Sequence, residues 1–234
     1  MDLLNISSAH RISKSKSFLS DGNTAIDLAD FYVAVERTVE AWTVLGISKE
    51  SIVVIPSGRG LDFFIELIAC WSVGAIAVPL DGSMSAAAKR DVFSMLNAPT
   101  VLADANISVF FNNDTRRFDE GIDTILFTSG SSGTPKGVLH SHQSLISNAI
   151  ATIERIELNK HDHLFINIPF HFTSSICHFL AAMISGASLT AIEQRGFSVE
   201  LCTAINRAQP TCFGGGTYSA FLAREYETAA ARAN

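Results

Sequence analysis

The chain has 234 residues, 47% hydrophobic and 17% charged, which is enough apolar material for one large or two small cores and too much for a disordered chain. Its formal net charge of −6 argues against a general nucleic-acid or membrane-surface role, because phosphate backbones and anionic lipids call for clustered Lys and Arg. Only Arg11, Lys14 and Lys16 cluster, so neither kind of partner is expected.

In chain order, residues 1–23 read as a solvated N-terminal arm. Leu28, Phe31, Tyr32, Val35, Val39, Trp42 and Leu45 recur at three and four, which predicts an amphipathic helix, and Ile52–Ile55 follow as a strand. A helix from about Leu61 to Trp71, with Gly74 past its end, and a strand over Ala75–Val78 come next; the apolar window they form is too short and interrupted to span a membrane. A helix is expected around Ala86–Leu96, with short strands at Thr100–Ala103 and Thr124–Phe127. Between those strands, Asp104–Asp123 reads as a loop region. Helix 142–156, strand 164–167, helix 174–184, strand 187–192 and helix 198–208 complete the series, and 223–234 is an alanine-rich tail. This alternation predicts an α/β fold, a largely parallel sheet with helices on its faces and ligands at the carboxyl ends of the strands.

The strongest chemical signal is the run from Leu126 to Val138, Leu-Phe-Thr-Ser-Gly-Ser-Ser-Gly-Thr-Pro-Lys-Gly-Val, which follows an apolar strand. Gly130, Gly133 and Gly137 allow a tight turn and bring backbone N–H groups close to an anion. Thr128, Ser129, Ser131, Ser132 and Thr134 add hydroxyl donors, and Lys136 adds the charge. A P-loop would need a Gly-Lys-Ser/Thr ending, whereas Lys136 here lies between Pro135 and Gly137. A flexible linker is the plain alternative, but linkers are rarely entered from a run such as Thr124-Ile125-Leu126-Phe127.

Cys70, Cys177, Cys202 and Cys212 are widely spaced and include no Cys-x-x-Cys pair, so free thiols in a reducing, cytoplasmic setting are expected rather than zinc or a disulfide framework. His161 and His163 alone do not make a metal cluster, and no metal ligand is assigned to this chain.

Phe127–Val138 resembles the signature loop of the adenylate-forming superfamily, which comprises acyl-CoA synthetases, aryl-CoA ligases, luciferases and nonribosomal peptide adenylation domains. Further resemblances lie in Thr24–Ile55, in Gly74-Ala75-Ile76-Ala77-Val78-Pro79-Leu80-Asp81, in His142, in Pro169-Phe170-His171 and in Gly186-Ala187-Ser188-Leu189. Thr211–Tyr218 is similar as well, with Gly215 and Gly216 where the family has Val and Pro. The likeness covers about 24–222, as part of the family's N-terminal domain. It implies ATP contacts at Thr128, Ser129, Gly130, Ser131, Ser132, Gly133, Thr134 and Lys136, and catalytic roles for Lys136 and His171. His171 would stand beside the reacting carboxylate at the mouth of an acyl pocket, near Phe170, Phe172, Ile176 and Phe179. His142 is expected to shape the loop from a helix start rather than to catalyse.

The implied reaction is activation of a small carboxylic acid by ATP and Mg2+ to an acyl-adenylate, followed by transfer to the thiol of CoA or a phosphopantetheine carrier. The family's aromatic-Gly-x-Thr-Glu motif, whose Glu ligates magnesium, does not occur in the sequence, nor do the later ribose-binding Asp and adenylating Lys. The chain is therefore expected to hold about half of that N-terminal domain and to be inactive, or nearly so, by itself, with a complementing chain or self-association as possible completions. The alternative is a non-catalytic nucleotide-binding or interaction module of the same fold.

Overall fold

The alternation of strand and helix expected from the sequence is present in the computed structural model, which describes residues 17–49, 51–96, 100–102, 108–110, 121–128, 135–193 and 199–214. Among these, 29–145 form one compact unit and 17–28 with 146–214 a second.

The first unit opens with helix α1 (Leu28–Val44), whose Phe31, Val35 and Trp42 are buried at the three-to-four spacing of its apolar face. Its sheet runs β6-β5-β3-β4-β7-β8, from β3 (Ile52–Pro56), β4 (Ile76–Leu80), β5 (Thr100–Leu102), β6 (Ser108–Phe110), β7 (Thr124–Thr128) and β8 (Lys136–His140). β3, β4, β5 and β7 are parallel, and β6 and β8 close the two edges in antiparallel fashion. Every residue of β3 is buried, because helices cover both faces of the sheet. On one face α3 (Ala86–Leu96) seats Val92 and Leu96 against Ile52, Val54, Val78, Leu80 and Ile125. Helix α2 (Leu61–Ser72) covers the other face, where Trp71 donates its indole N–H to Thr124 (3.1 Å) on β7. Gly74 follows α2 with φ of 76°, the left-handed conformation the sequence reserved for it.

The second unit has the sheet order β11-β9-β10-β1-β2. Its strands are β1 (Ser17–Ser20), β2 (Ala25–Asp27), β9 (His163–Ile166), β10 (Ser188–Ala191) and β11 (Cys212–Gly214). All pairs are parallel except β1 with β2. Helix α4 (His142–Ile156) runs across the boundary of the two units, and α5 (Thr173–Ser185) and α6 (Val199–Ala208) connect β9 to β10 and β10 to β11. Leu201 and Ile205 of α6 pack on Phe165 with Phe213, while Phe179 of α5 meets Phe18 of β1.

Five strands have no counterpart in the sequence reading, the three-residue β11 among them. Ser17–Ser20 lie within the expected 1–23 arm, yet Phe18 and Leu19 are buried and β1 pairs with β10 at Leu19↔Leu189. β2 and β6 are three residues long, too short to show a period. β8 was read as the end of the loop. It is an edge strand with little burial, so no alternation marks it. Gly137 accordingly does not turn the chain: it lies within β8, where a Cβ would come within 3.1 Å of Ile125 and 3.5 Å of the Phe127 ring. Among the described residues, no helix is long and apolar enough to cross a membrane.

Candidate functional site

The Thr128–Lys136 segment is the connection of a β-hairpin. β7 and β8 pair from Thr124↔His140 to Thr128↔Lys136, so these two residues lie opposite one another at the mouth of the loop. Both residues are exposed, and the Thr128 hydroxyl lies 3.5 Å from the Lys136 carbonyl oxygen. Ser129, Gly130, Ser131, Ser132, Gly133 and Thr134 lie outside the described residues. Because β7 runs parallel to β4 from Ala77↔Thr124, Thr128 emerges at the carboxyl ends of the parallel strands, the edge at which open α/β sheets bind ligands. The β3–α2 and β4–α3 turns share that edge and touch: Ser57 N–H donates to the Leu80 carbonyl (2.8 Å), and Gly82 N–H reaches Ser57 Oγ at 3.4 Å. Arg59 there binds both carboxylate oxygens of Glu66, at 2.6 and 2.7 Å.

The base of the hairpin is closed by a pair the sequence reading did not find. Asp123, just before β7, donates its N–H to the His140 carbonyl (3.0 Å), and its carboxylate accepts the backbone N–H of His142 (2.7 Å). The second carboxylate oxygen lies 3.3 Å from His142 Nδ1. Asp123 thus satisfies a free donor at the start of α4, and Ser141 Oγ accepts from Ser144 N–H (3.2 Å) as a side-chain cap. The His142 ring stands edge-on to Trp71, with centroids 4.9 Å apart, and its Nε2 is buried without a hydrogen-bond partner. Burial pushes the His142 pKa below its ordinary value, against the upward pull of Asp123. The pair lies at the amino ends of the parallel strands, so His142 starts a helix as expected but stands at the opposite end of the hairpin from Lys136 and the loop it was expected to shape. Nothing in the sequence tied Asp123 to a residue 19 positions away.

In the second unit, His171 follows β9 on the turn into α5. It is half-buried, with its ring edge-on to Phe172 at 4.6 Å. Phe172 is exposed, whereas Phe170, Ile176 and Phe179 are at most 1% exposed and fill the core of this unit rather than facing an open pocket. Thr173 opens α5 at Phe172, which carries no side-chain cap. His178, one turn on, shares a hydrogen bond of 2.6 Å with the Ser174 carbonyl, so Nδ1 carries the proton; burial lowers its pKa. Its ring lies over Gly214, where any Cβ would overlap it. His163 Nε2 meets Thr190 Oγ1 at 2.8 Å, a bond across neighbouring strands. The Glu193 carboxylate accepts the backbone N–H of Phe170, a contact across 23 residues that no sequence pattern announced. At the carboxyl ends of β1 and β10 a cavity of about 420 Å3 opens beside α6, bounded by Asp21, Asn23, Ile192, Glu200, Thr203 and Arg207.

Residues 119–221 match the family described as AMP-binding enzyme. The chain is 35% identical over 86 residues to D-lysergyl-peptide-synthetase subunit 3 of Claviceps purpurea, which is 37% of this chain and 5% of that protein. It is 21% identical over 212 residues to the anguibactin system regulator of Vibrio anguillarum, 81% of this chain and 20% of that protein. Among solved structures, O-succinylbenzoate coenzyme A synthetase from Bacillus subtilis in complex with AMP superposes with a TM-score of 0.71 at 17% identity, over 90% of this chain and 60% of the other. The N-terminal subdomain of Klebsiella oxytoca NpsA, in complex with 3-hydroxybenzoyl-AMSN, gives 0.73 at 19% identity, over 90% and 58%. The chain therefore spans a fifth or less of the length of these two relatives and about three-fifths of the solved chains.

Proposed function

With residues 119–221 matching the AMP-binding enzyme family, on a fold that follows the N-terminal domains of adenylate-forming enzymes, we propose that this chain supplies the phosphate-holding half of an acyl-adenylate-forming ligase. The observation that carries this reading is the hairpin. It sets Thr128 and Lys136 face to face at the carboxyl ends of the parallel strands, on either side of a glycine and hydroxyl loop. Lys136, with the hydroxyls of 128–134, holds the polyphosphate of ATP and offsets charge that develops as a carboxylate attacks the α-phosphorus. His171 neighbours the acid, a small carboxylic acid of acyl or aryl type. The acyl group then passes to a thiol of CoA or of a phosphopantetheine carrier.

The B. subtilis synthetase is also solved with ATP and a magnesium ion, and magnesium bound to the phosphates would supply further charge neutralisation. Among the described residues, however, no group of three His, Cys, Asp or Glu side chains converges to hold a metal, so no step here runs through one. Because the aromatic-Gly-x-Thr-Glu motif and the later Asp and Lys do not occur in the sequence, the chain by itself is inactive or nearly so in this reading, and needs those motifs in the same or another chain.

The test is ATP binding by calorimetry together with pyrophosphate release over a panel of aryl, short and long acyl carboxylates. Wild type binds ATP, Lys136→Ala binds at least about tenfold more weakly, and neither releases pyrophosphate at a rate comparable to an intact ligase. Equal ATP affinity in the two proteins refutes the role of Lys136; acid-dependent release lost in the variant shows that the chain, or an assembly of it, is a working enzyme.

A further inference from the structure

β9 and β10 are parallel neighbours whose following helices lie on opposite faces of the sheet. α6 covers Phe165 and Phe213, while α5 brings His178 over Ile166 and Gly214. Strands with this arrangement part at their carboxyl ends into a crevice, the ligand position of open α/β sheets. One wall of the crevice is the turn Pro169–His171, which leaves β9. The other is Ile192–Glu193, which leaves β10 and is fixed by the Ile192 N–H donating to the Ile166 carbonyl at 3.0 Å.

The turn that carries His171 is held on every side but its own. Ser175 Oγ lies 3.2 Å from the Ile168 carbonyl and 3.0 Å from that of Pro169 and donates between them. The Phe172 N–H donates to the Pro169 carbonyl at 3.0 Å, and the Phe170 ring is 1% exposed. The Phe170 N–H donates to Glu193 Oε1 on the other wall. A backbone N–H to a carboxylate is a charge-assisted bond, about twice as strong as one between neutral groups. It links the two walls at the residue immediately before His171.

We propose that Glu193 is a positioning residue: its carboxylate ties the β9 turn to the end of β10 and so fixes the direction in which His171 is presented to the acid substrate. The inference rests on the reading of His171 as the neighbour of that acid. Glu193 takes no part in bond making; it restricts the turn to one setting, where an uncapped Phe170 N–H would let the turn follow solvent. Gln at 193 retains an accepting oxygen at the same reach, Ala has none, and Asp withdraws the carboxylate by one methylene.

The test follows the Phe170 amide by hydrogen exchange and the His171 ring by NMR, in the 15N-labelled 234-residue chain and in Glu193→Ala, Glu193→Asp and Glu193→Gln, with benzoate and hexanoate as probes. Loss of the bond lowers Phe170 protection at least about tenfold in the Ala and Asp variants, with amides of β3 and β4 unchanged, while Gln stays within about threefold of wild type. Either probe shifts the His171 ring signals in wild type and in Gln, and this response is lost in Ala and Asp. Unchanged Phe170 protection in Ala or in Asp overturns the proposal, as does a His171 response to the acids equal to wild type; Asp decides the matter should Ala fail to fold. A wild-type chain with a protected Phe170 amide whose His171 ignores both acids instead overturns the acid-binding reading and leaves the bond between the crevice walls supported.

Discussion

Replacing Asp123 by alanine removes the carboxylate that closes the base of the β7–β8 hairpin, and the structure gives the size of the effect. Two contacts are lost, the 2.7 Å bond from the His142 N–H and the 3.3 Å approach of His142 Nδ1. A helix-start acceptor changed to alanine costs about 1 kcal/mol, within a range of roughly 0.5 to 2. A partly exposed pair such as Asp123 with His142, at 27% and 30% side-chain exposure, adds at most about 1 kcal/mol. The sum is about 2 kcal/mol, or a fall in Tm of about 4–8 °C for a chain of this length. Urea unfolding followed by circular dichroism measures it, with Asp123→Asn, which keeps an acceptor for the His142 N–H, recovering about half. Asp123→Ala within about 0.5 kcal/mol of wild type refutes the clamp, since that is the scatter of surface substitutions without structural role. Loss of Asp123 also removes the upward pull on His142 and on the buried Cys70 thiol, which burial raises first.

Acidification gives a second check. Burial lowers the pKa of His140, His142 and His178 in the folded chain below the unfolded value of about 6.5, so the native state favours the neutral imidazole. That stability is present above the unfolded pKa and is lost as pH falls through the folded values; urea midpoints should drop from pH 7.5 to 5.5, and drop further in Asp123→Ala. Burial pushes the Cys177 thiol up to about 11 and raises that of Cys70 well above its ordinary value, so iodoacetamide at pH 8 should modify the partly exposed Cys202 and Cys212 first, as read by peptide mass mapping. Gly82→Ala places a methyl group into the Ser57 carbonyl oxygen and forces the β3 and β4 turns apart. A loss of about 1–3 kcal/mol in urea unfolding is expected, and a neutral result would mean that the turns are not packed against each other.

Sequence by itself determined the elements that are long and patterned. α1 shows its buried face at Phe31, Val35 and Trp42, β3 is a continuous apolar run, and α2 and α5 are mostly apolar, so they read directly as a covered strand and covered helices. The glycine and hydroxyl composition of the loop and its lysine could be read from the sequence as well, because they lie within a dozen residues of one another. Tertiary structure alone decided that Lys136 begins an edge strand opposite Thr128, because a strand paired on one side with both faces near solvent has no hydrophobic period to read. It alone brought Ser17–Ser20 beside β10, since four residues show a partner only through pairing. The pairings Asp123 with His142 and Glu193 with Phe170 belong to the same class. Each joins an acidic side chain to a backbone N–H about 20 residues away, and any exposed acidic residue in the chain looks the same until the sheet sets strand ends side by side.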